Sequence, residues 1–206
     1  MNESSRKIPA EYLKWAFYER RELIERMLAG KITERDTSVG FLRHTPAIVT
    51  FGPAGLNASI KGVGFVPKEE YLEETVSKLK AALDKKRTMR ESVELLLKVV
   101  YNEEILDFLK LSTIELAKRH TWKNLQESDR ATLLFYMPPE TTYEVRCKAT
   151  IHTDDLYWEY VNAIHDVFHM TPFPHERRDW SKTPVYIFEI QEIYDNNPKF
   201  MGKRIF

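Results

Sequence analysis

Residues 143–152 read YEVRCKATIH, and apolar or small side chains alternate with polar ones through all ten positions. Successive side chains of a β-strand point to opposite faces of the sheet, so this alternation predicts a strand with one buried and one exposed face. Cys147, the only cysteine, falls on the apolar face. We therefore expect its thiol to be buried and unreactive.

Further strand candidates lie on both sides of this one. Five stretches combine strand-forming residues with turn residues at their ends, and they are 47–51, 56–65, 105–113, 131–136 and 184–194. The first two are separated by a turn rich in Gly and Pro, which predicts a hairpin. Its second arm carries Asn57, Ser59 and Lys61 on one polar face. The patterns together predict a core of about six strands.

Helical periodicity occupies much of the remaining chain. The segments are 9–30, 33–43, 67–101 and 154–170, and the third of them is predicted to hold two helices. Thr33 with Asp36 predicts a capped start for the second helix, and Thr88 with Glu91 forms a capping box inside the third segment. The short stretch between residues 114 and 130 is predicted as a helical or mixed connector.

Composition limits the class of protein. The 206 residues carry 31 basic and 31 acidic side chains, so no net charge draws the chain to nucleic acid or to an anionic membrane. A single cysteine excludes an internal disulfide framework. No apolar run approaches membrane-spanning length, and the first nine residues, MNESSRKIP, lack the apolar core of a secretory signal. We expect a cytoplasmic protein.

The order of motifs between residues 105 and 151 is the most specific feature. A strand ends in Ser112 and Thr113, the stretch RHTWKNLQ follows at 119–126, and the strand ATLLFY comes next. This order resembles the FMN-binding split-barrel superfamily, that of pyridoxamine 5′-phosphate oxidase and the flavin reductases. The resemblance implies an α+β fold with a six-stranded antiparallel split β-barrel of Greek-key topology.

The resemblance covers about two thirds of the chain. We expect one domain over residues 1–206, with N-terminal helices in 1–45 and a helical insertion at 67–101, where the superfamily has a short link. The C-terminal Trp and Arg signature of pyridoxamine-phosphate oxidases has no match here. These two departures leave the substrate open.

The resemblance also implies FMN as the cofactor. A phosphate monoester is held by a guanidinium, hydroxyl donors and free backbone N–H groups. Arg119, His120 and Thr121 offer these groups ahead of the short connector, with Thr121 as its expected helix cap. An ordinary surface position for the three residues is the alternative. The predicted cofactor-binding residues are Ser59, Ile60, Lys61, Ser112, Thr113, Lys118, Arg119, His120, Thr121 and Asn124.

The position of Lys61 allows two interpretations. In the resembling superfamily the second hairpin strand passes the flavin ring, and a cation there would stabilise the reduced, anionic ring at its N1–C2=O edge. A lysine on the outer face of a strand more often serves only solubility.

The function implied is that of an FMN-binding oxidoreductase acting on a small molecule, as a homodimer that completes the flavin site between subunits. A non-catalytic flavin, deazaflavin or haem carrier on the same barrel is an alternative. A degenerate barrel that binds a partner and no cofactor is another. The sequence assigns no catalytic residue, so whether the protein is an enzyme stays open.

The predicted helix at 154–170 carries residues that could bind a metal ion. His165 and His169 lie four residues apart and can share one helix face, with His152, Asp166 and His175 as conceivable further ligands. The helix has no HExxH arrangement, and paired histidines on a helix are more often packed or solvent-facing. The sequence therefore predicts no metal site.

Overall fold

The computed structural model describes residues 7–169 and 178–206. Within them, the strands are β1 (Ala47–Thr50), β2 (Asn57–Ile60), β3 (Gly64–Pro67), β4 (Leu106–Ile114), β5 (Arg130–Met137), β6 (Thr141–His152), β7 (Val185–Asp195) and β8 (Lys203–Arg204). The helices are α1 (Ala10–Leu13), α2 (Glu19–Leu28), α3 (Glu34–Leu42), α4 (Glu69–Leu83), α5 (Met89–Val99), α6 (His120–Leu125) and α7 (Leu156–His169). A π-helical segment, Lys14–Tyr18, joins α1 to α2, and Trp180–Lys182 is a 3-10 turn.

The strands form one antiparallel sheet. The order is β2-β1-β5-β6-β7-β4-β3, and β8 pairs with β7. Strands β5, β6 and β7 lie side by side in chain order, and β4 lies beside β7, which is Greek-key topology. The alternation in residues 143–152 becomes the middle and end of β6, where Tyr143, Val145, Cys147 and Ala149 are buried.

One continuous segment, residues 57–67, supplies both edges of this sheet and closes it into a barrel. Its first part, β2, pairs with β1, and its last part, β3, pairs with β4. Between them the N–H of Val63 donates to the His44 carbonyl at 2.7 Å, and Thr113 Oγ1 donates to the Gly62 carbonyl at 2.6 Å. Because β2 and β3 are two halves of one barrel strand, the predicted six-stranded split barrel and its α+β class are confirmed.

The barrel interior is filled by aromatic side chains that the N-terminal helices insert. Tyr12 and Trp15 are buried, and each ring centroid lies 5.2 Å from that of Tyr143 on β6. Cys147 belongs to the same core, and burial raises the pKa of its thiol. The expectation that this cysteine is buried is confirmed.

The helical insertion forms a second core on the outside of the barrel. Side chains of α4 and α5 pack with α7 against β3 and β7, among them Leu79, Leu96, Tyr160 and Ile187. The predicted capping box of Thr88 is present at the start of α5. The residues from 67 to 101 are therefore an integral layer of the fold.

No helix in the two described ranges is both long enough and apolar enough to cross a bilayer.

Candidate functional site

A buried carboxylate organises the end of β4. Glu115 is only 1% exposed, and its carboxylate pairs with Lys61 Nζ at 2.9 Å and accepts from the Tyr186 hydroxyl at 2.9 Å. The other oxygen accepts from the backbone N–H groups of Ala117 and Lys118, both at 2.7 Å. One side chain therefore joins the β2–β3 segment, strand β7 and the chain that leads to α6.

These donors decide the charge of the carboxyl group. Burial opposes ionisation of Glu115, but the Lys61 ammonium and the two backbone donors outweigh burial and lower its pKa. Burial and the neighbouring Glu115 carboxylate raise the pKa of Tyr186, so its hydroxyl stays protonated and donates. The cluster is an ion pair with one neutral donor.

The chain after Glu115 makes an unusual turn. Lys118 has a φ of 48°, a left-handed conformation that a lysine rarely adopts. Backbone conformations of this kind persist where the surroundings fix them, and they concentrate at functional sites. Here the two hydrogen bonds from the backbone to Glu115 fix the turn.

This turn presents Arg119 and His120 at the start of α6. Both are exposed, and neither side chain forms a hydrogen bond or ion pair with any described residue. Arg119 is the N-cap residue, and no side chain caps the helix. The uncapped start of α6 and this guanidinium therefore belong to the same short segment, and backbone N–H groups and a guanidinium are donors of the kind that can bind an anion.

Thr121 has a different role from the predicted one. Thr121 lies within α6 and is buried. Its hydroxyl accepts from Asn57 Nδ2 at 2.9 Å and is hydrogen-bonded to Ser59 Oγ at 3.0 Å. The expectation that Thr121 caps the helix is wrong, because α6 begins one residue earlier, at His120. Thr121 instead fastens α6 to the polar face of β2.

Asn124 fixes the turn between β1 and β2. Its Nδ2 donates to the Gly55 carbonyl at 2.8 Å and to Thr50 Oγ1 at 3.2 Å, and its Oδ1 accepts from the N–H of Ala54 at 2.8 Å. A Cβ on Gly52 would lie 2.9 Å from the Asn124 Cα, so the close approach of α6 to this turn requires glycine. The amide of Asn124 is fully engaged within the protein.

Three other residues of the predicted cofactor-binding set also form hydrogen bonds or ion pairs within the protein. Ser112 Oγ donates to the Gly64 carbonyl at 3.2 Å, and Thr113 donates to Gly62, so both hydroxyls help to close the barrel. Lys61 is mostly buried against Glu115. The interpretation of Lys61 as a solvating residue on an outer face is wrong, because β2 turns its polar face inward to α6.

The outward face of the hairpin is apolar. Ile60 is 68% exposed. Strand register places Ala47 of β1 between Ile60 on one side and Leu134 of β5 on the other. Large exposed apolar side chains on this outer apolar face are Phe51, Leu56, Ile60, Leu134 and Tyr136. Contiguous apolar surface of this kind on a folded protein marks a site of interaction.

The histidines within residues 7–169 and 178–206 do not assemble as one cluster. His165 and His169 lie together on α7 with ring centroids 4.6 Å apart, and His165 Nδ1 is 3.1 Å from Asp166 Oδ1. His152 binds Asp155, ahead of α7. His175 lies outside the described residues, and among those described no group of three or more His, Cys, Asp or Glu residues could hold a metal ion.

Neither a protein-family model nor a curated protein sequence matches this chain. Among solved structures, HupZ from Group A Streptococcus is similar over 88% of this chain and 94% of that chain, with 13% identity and a TM-score of 0.46. A putative pyridoxamine 5′-phosphate oxidase from Listeria innocua is similar over 79% of this chain and 98% of that chain, with 11% identity and a TM-score of 0.45. A pyridoxamine 5′-phosphate oxidase-related, FMN-binding protein from Nostoc punctiforme is similar over 82% of this chain and 88% of that chain, with 10% identity and a TM-score of 0.42.

The fold stands on the strand pairing and barrel closure of this chain itself.

The Glu115 cluster gives a prediction about stability. Glu115→Gln leaves the Lys61 ammonium buried without a counter-charge, so we expect the free energy of unfolding at neutral pH to fall by about 3 kcal/mol. Glu127→Gln is the matched control, since Glu127 is exposed, and it should change stability little. Urea unfolding followed by circular dichroism measures both variants.

The same pair predicts a pH dependence. The folded state lowers the pKa of Glu115, so its stabilising contribution is complete above the ordinary value of 4.5 and is lost as pH falls through the lowered pKa. The stability difference between wild type and Glu115→Gln should therefore shrink on acidification. A difference that stays constant from neutral pH to the acid limit would contradict the ion pair.

Proposed function

We propose that this chain binds FMN at the turn formed by residues 115–121, and that it acts as a homodimeric, flavin-dependent oxidoreductase on a small molecule. The observation that carries the proposal is the Arg119 guanidinium, which pairs with no described residue, at the uncapped start of α6 and on a turn that buried Glu115 fixes. A free cation on a rigid turn suits an anionic ligand, because little side-chain and backbone order must be gained on binding.

A phosphate monoester fits these donors. The guanidinium supplies charge-assisted hydrogen bonds, His120 adds a second polar ring, and the first N–H groups of α6 add backbone donors. The order of motifs in the sequence, which resembles FMN-binding split barrels, favours FMN among the phosphate esters.

The flavin ring has a path along β2. Ser59 touches Thr121, so β2 and the start of α6 are neighbours, and a ligand held by Arg119 and His120 can extend toward Ile60 and Lys61. Because Lys61 is paired with Glu115, its charge is largely neutralised and would stabilise a reduced flavin less than a free cation would. Flavin, when bound, supplies the electron-transfer chemistry, and the protein supplies binding and orientation.

A non-catalytic carrier of flavin, deazaflavin or haem is the second candidate. The observation in its favour is that the buried ionisable groups next to the turn, Lys61 and Glu115, neutralise each other, so neither of the two is a free buried acid or base. Oxidation of NADH or NADPH by the flavin-loaded protein separates the two candidates, since a carrier would not turn over.

The phosphate assignment predicts a ligand-specific loss of affinity. Arg119→Ala should weaken FMN binding by about 30-fold, or ~2 kcal/mol, the typical value of a charge-assisted hydrogen bond. Riboflavin, which lacks the phosphate, should be affected little. Quenching of flavin fluorescence during titration measures both ligands.

Lys123→Ala is the matched control for this experiment, because Lys123 is an exposed cation at the other end of α6. It should leave FMN affinity within about twofold of wild type if general attraction is small. Equal losses for FMN and riboflavin in Arg119→Ala, or equal effects of the two substitutions, would mean that Arg119 does not hold the phosphate.

The homodimer is proposed to form through the outer apolar face. Sedimentation equilibrium at micromolar concentration should show a dimer for wild type and a monomer for Leu134→Asp, because the new carboxylate would be buried without a partner. Met201→Asp is the control, since Met201 is also exposed but lies outside this face. A stable wild-type monomer with flavin bound would refute the proposal.

A further inference from the structure

A second cluster lies at the end of β6, apart from the Glu115 cluster. Thr150 and His152 share the polar face of the strand, two residues apart, and Asp155 follows in the bend before α7. Thr150 Oγ1 lies 2.7 Å from His152 Nε2, and His152 Nδ1 lies 2.5 Å from Asp155 Oδ2. A hydroxyl, an imidazole and a carboxylate are thus connected in series.

The carboxylate determines which nitrogen of the neutral ring carries the proton. An ionised aspartate only accepts hydrogen bonds, so the Nδ1–H of His152 must donate to Asp155. Nε2 is then the bare nitrogen, and it accepts from the Thr150 hydroxyl. This is the arrangement that activates a hydroxyl as a nucleophile, with a base beside it and a third group that orients the base.

The surroundings keep this arrangement in place. Asp155 Oδ1 accepts from the backbone N–H of Trp158 at 2.9 Å, so the carboxylate that orients His152 also caps α7. The Tyr157 ring packs edge-on against the imidazole, with centroids 5.3 Å apart. His152 is only 17% exposed at its side chain, whereas Thr150 is exposed and open to a ligand.

We propose that Thr150 is an acyl-accepting nucleophile that reacts with small activated carboxylic esters. Thr150 Oγ1 attacks the ester carbonyl carbon, its proton passes to His152 Nε2, and the bond from the carbonyl carbon to the leaving alcohol breaks. The products are an acyl ester on Thr150 and the alcohol, which takes up the proton. Water then attacks the acyl ester by the same route, releasing the acid and restoring the hydroxyl. This reaction does not depend on flavin.

Thr150 lies on the open face of a strand, and its own methyl group crowds the oxygen, so acetyl is the natural probe. General-base assistance by a positioned imidazole typically contributes 10²- to 10⁴-fold to the rate.

The test uses p-nitrophenyl acetate with the full-length protein. We expect a burst of p-nitrophenolate of about one equivalent per chain, and peptide mass spectrometry should place the acetyl group on Thr150. Alkaline hydroxylamine should remove it, since under those conditions hydroxylamine cleaves oxygen esters and leaves the amides that lysines form. Thr150→Val, which keeps the shape and loses the hydroxyl, should abolish the burst, and Thr150→Ser should retain it.

Asp155 is a positioning residue in this scheme, and Asp155→Asn tests its role. Asparagine caps helices as well as aspartate does, so α7 and the unfolding temperature should be preserved. Its amide can donate to Nδ1 and so favours the tautomer in which Nε2 carries the proton, which should slow the burst at least 100-fold. Acetylation confined to lysine amines, or a burst unchanged in Thr150→Val or Asp155→Asn, would overturn the proposal.

Discussion

The buried ion pair between Glu115 and Lys61 is the interaction on which the rest of the structure depends. Lys61 lies where the chain crosses from one sheet edge to the other, and Glu115 lies where β4 ends and the turn to α6 begins. The same carboxylate accepts the backbone N–H groups that set this turn. Barrel closure and presentation of Arg119 are therefore coupled through one side chain, and the candidate anion site is only as rigid as this pair.

Much of the fold could be predicted from local patterns. Alternation identified the strands, and the capping residues Thr33 and Thr88 located two helix starts, because these signals depend on neighbours within a few positions. Local patterns do not show how segment 57–67 pairs. Its first part pairs as β2 and its last part as β3, and together they make one continuous strand of the barrel.

The interior partners of the site could not be predicted in this way. A glutamate after an apolar strand has the appearance of a surface residue, and its partner Tyr186 lies 71 residues away. The alternation in β2 defines two faces but not which one turns inward. Asn57 and Ser59 turn inward because Thr121 offers them a hydrogen-bond partner, and this leaves Ile60 and its neighbours outside. The sequence places Arg119 and His120 at the start of the connector, and in the structure both side chains are exposed at the start of α6.

The central claim is that the turn held by Glu115 binds the phosphate of FMN. The most direct measurement is a crystal structure of the protein with FMN. The account predicts a phosphate oxygen within hydrogen-bond distance, about 3 Å, of the Arg119 guanidinium, with the Glu115–Lys61 pair intact. A phosphate bound elsewhere on the chain, with Arg119 free in solvent, would contradict it.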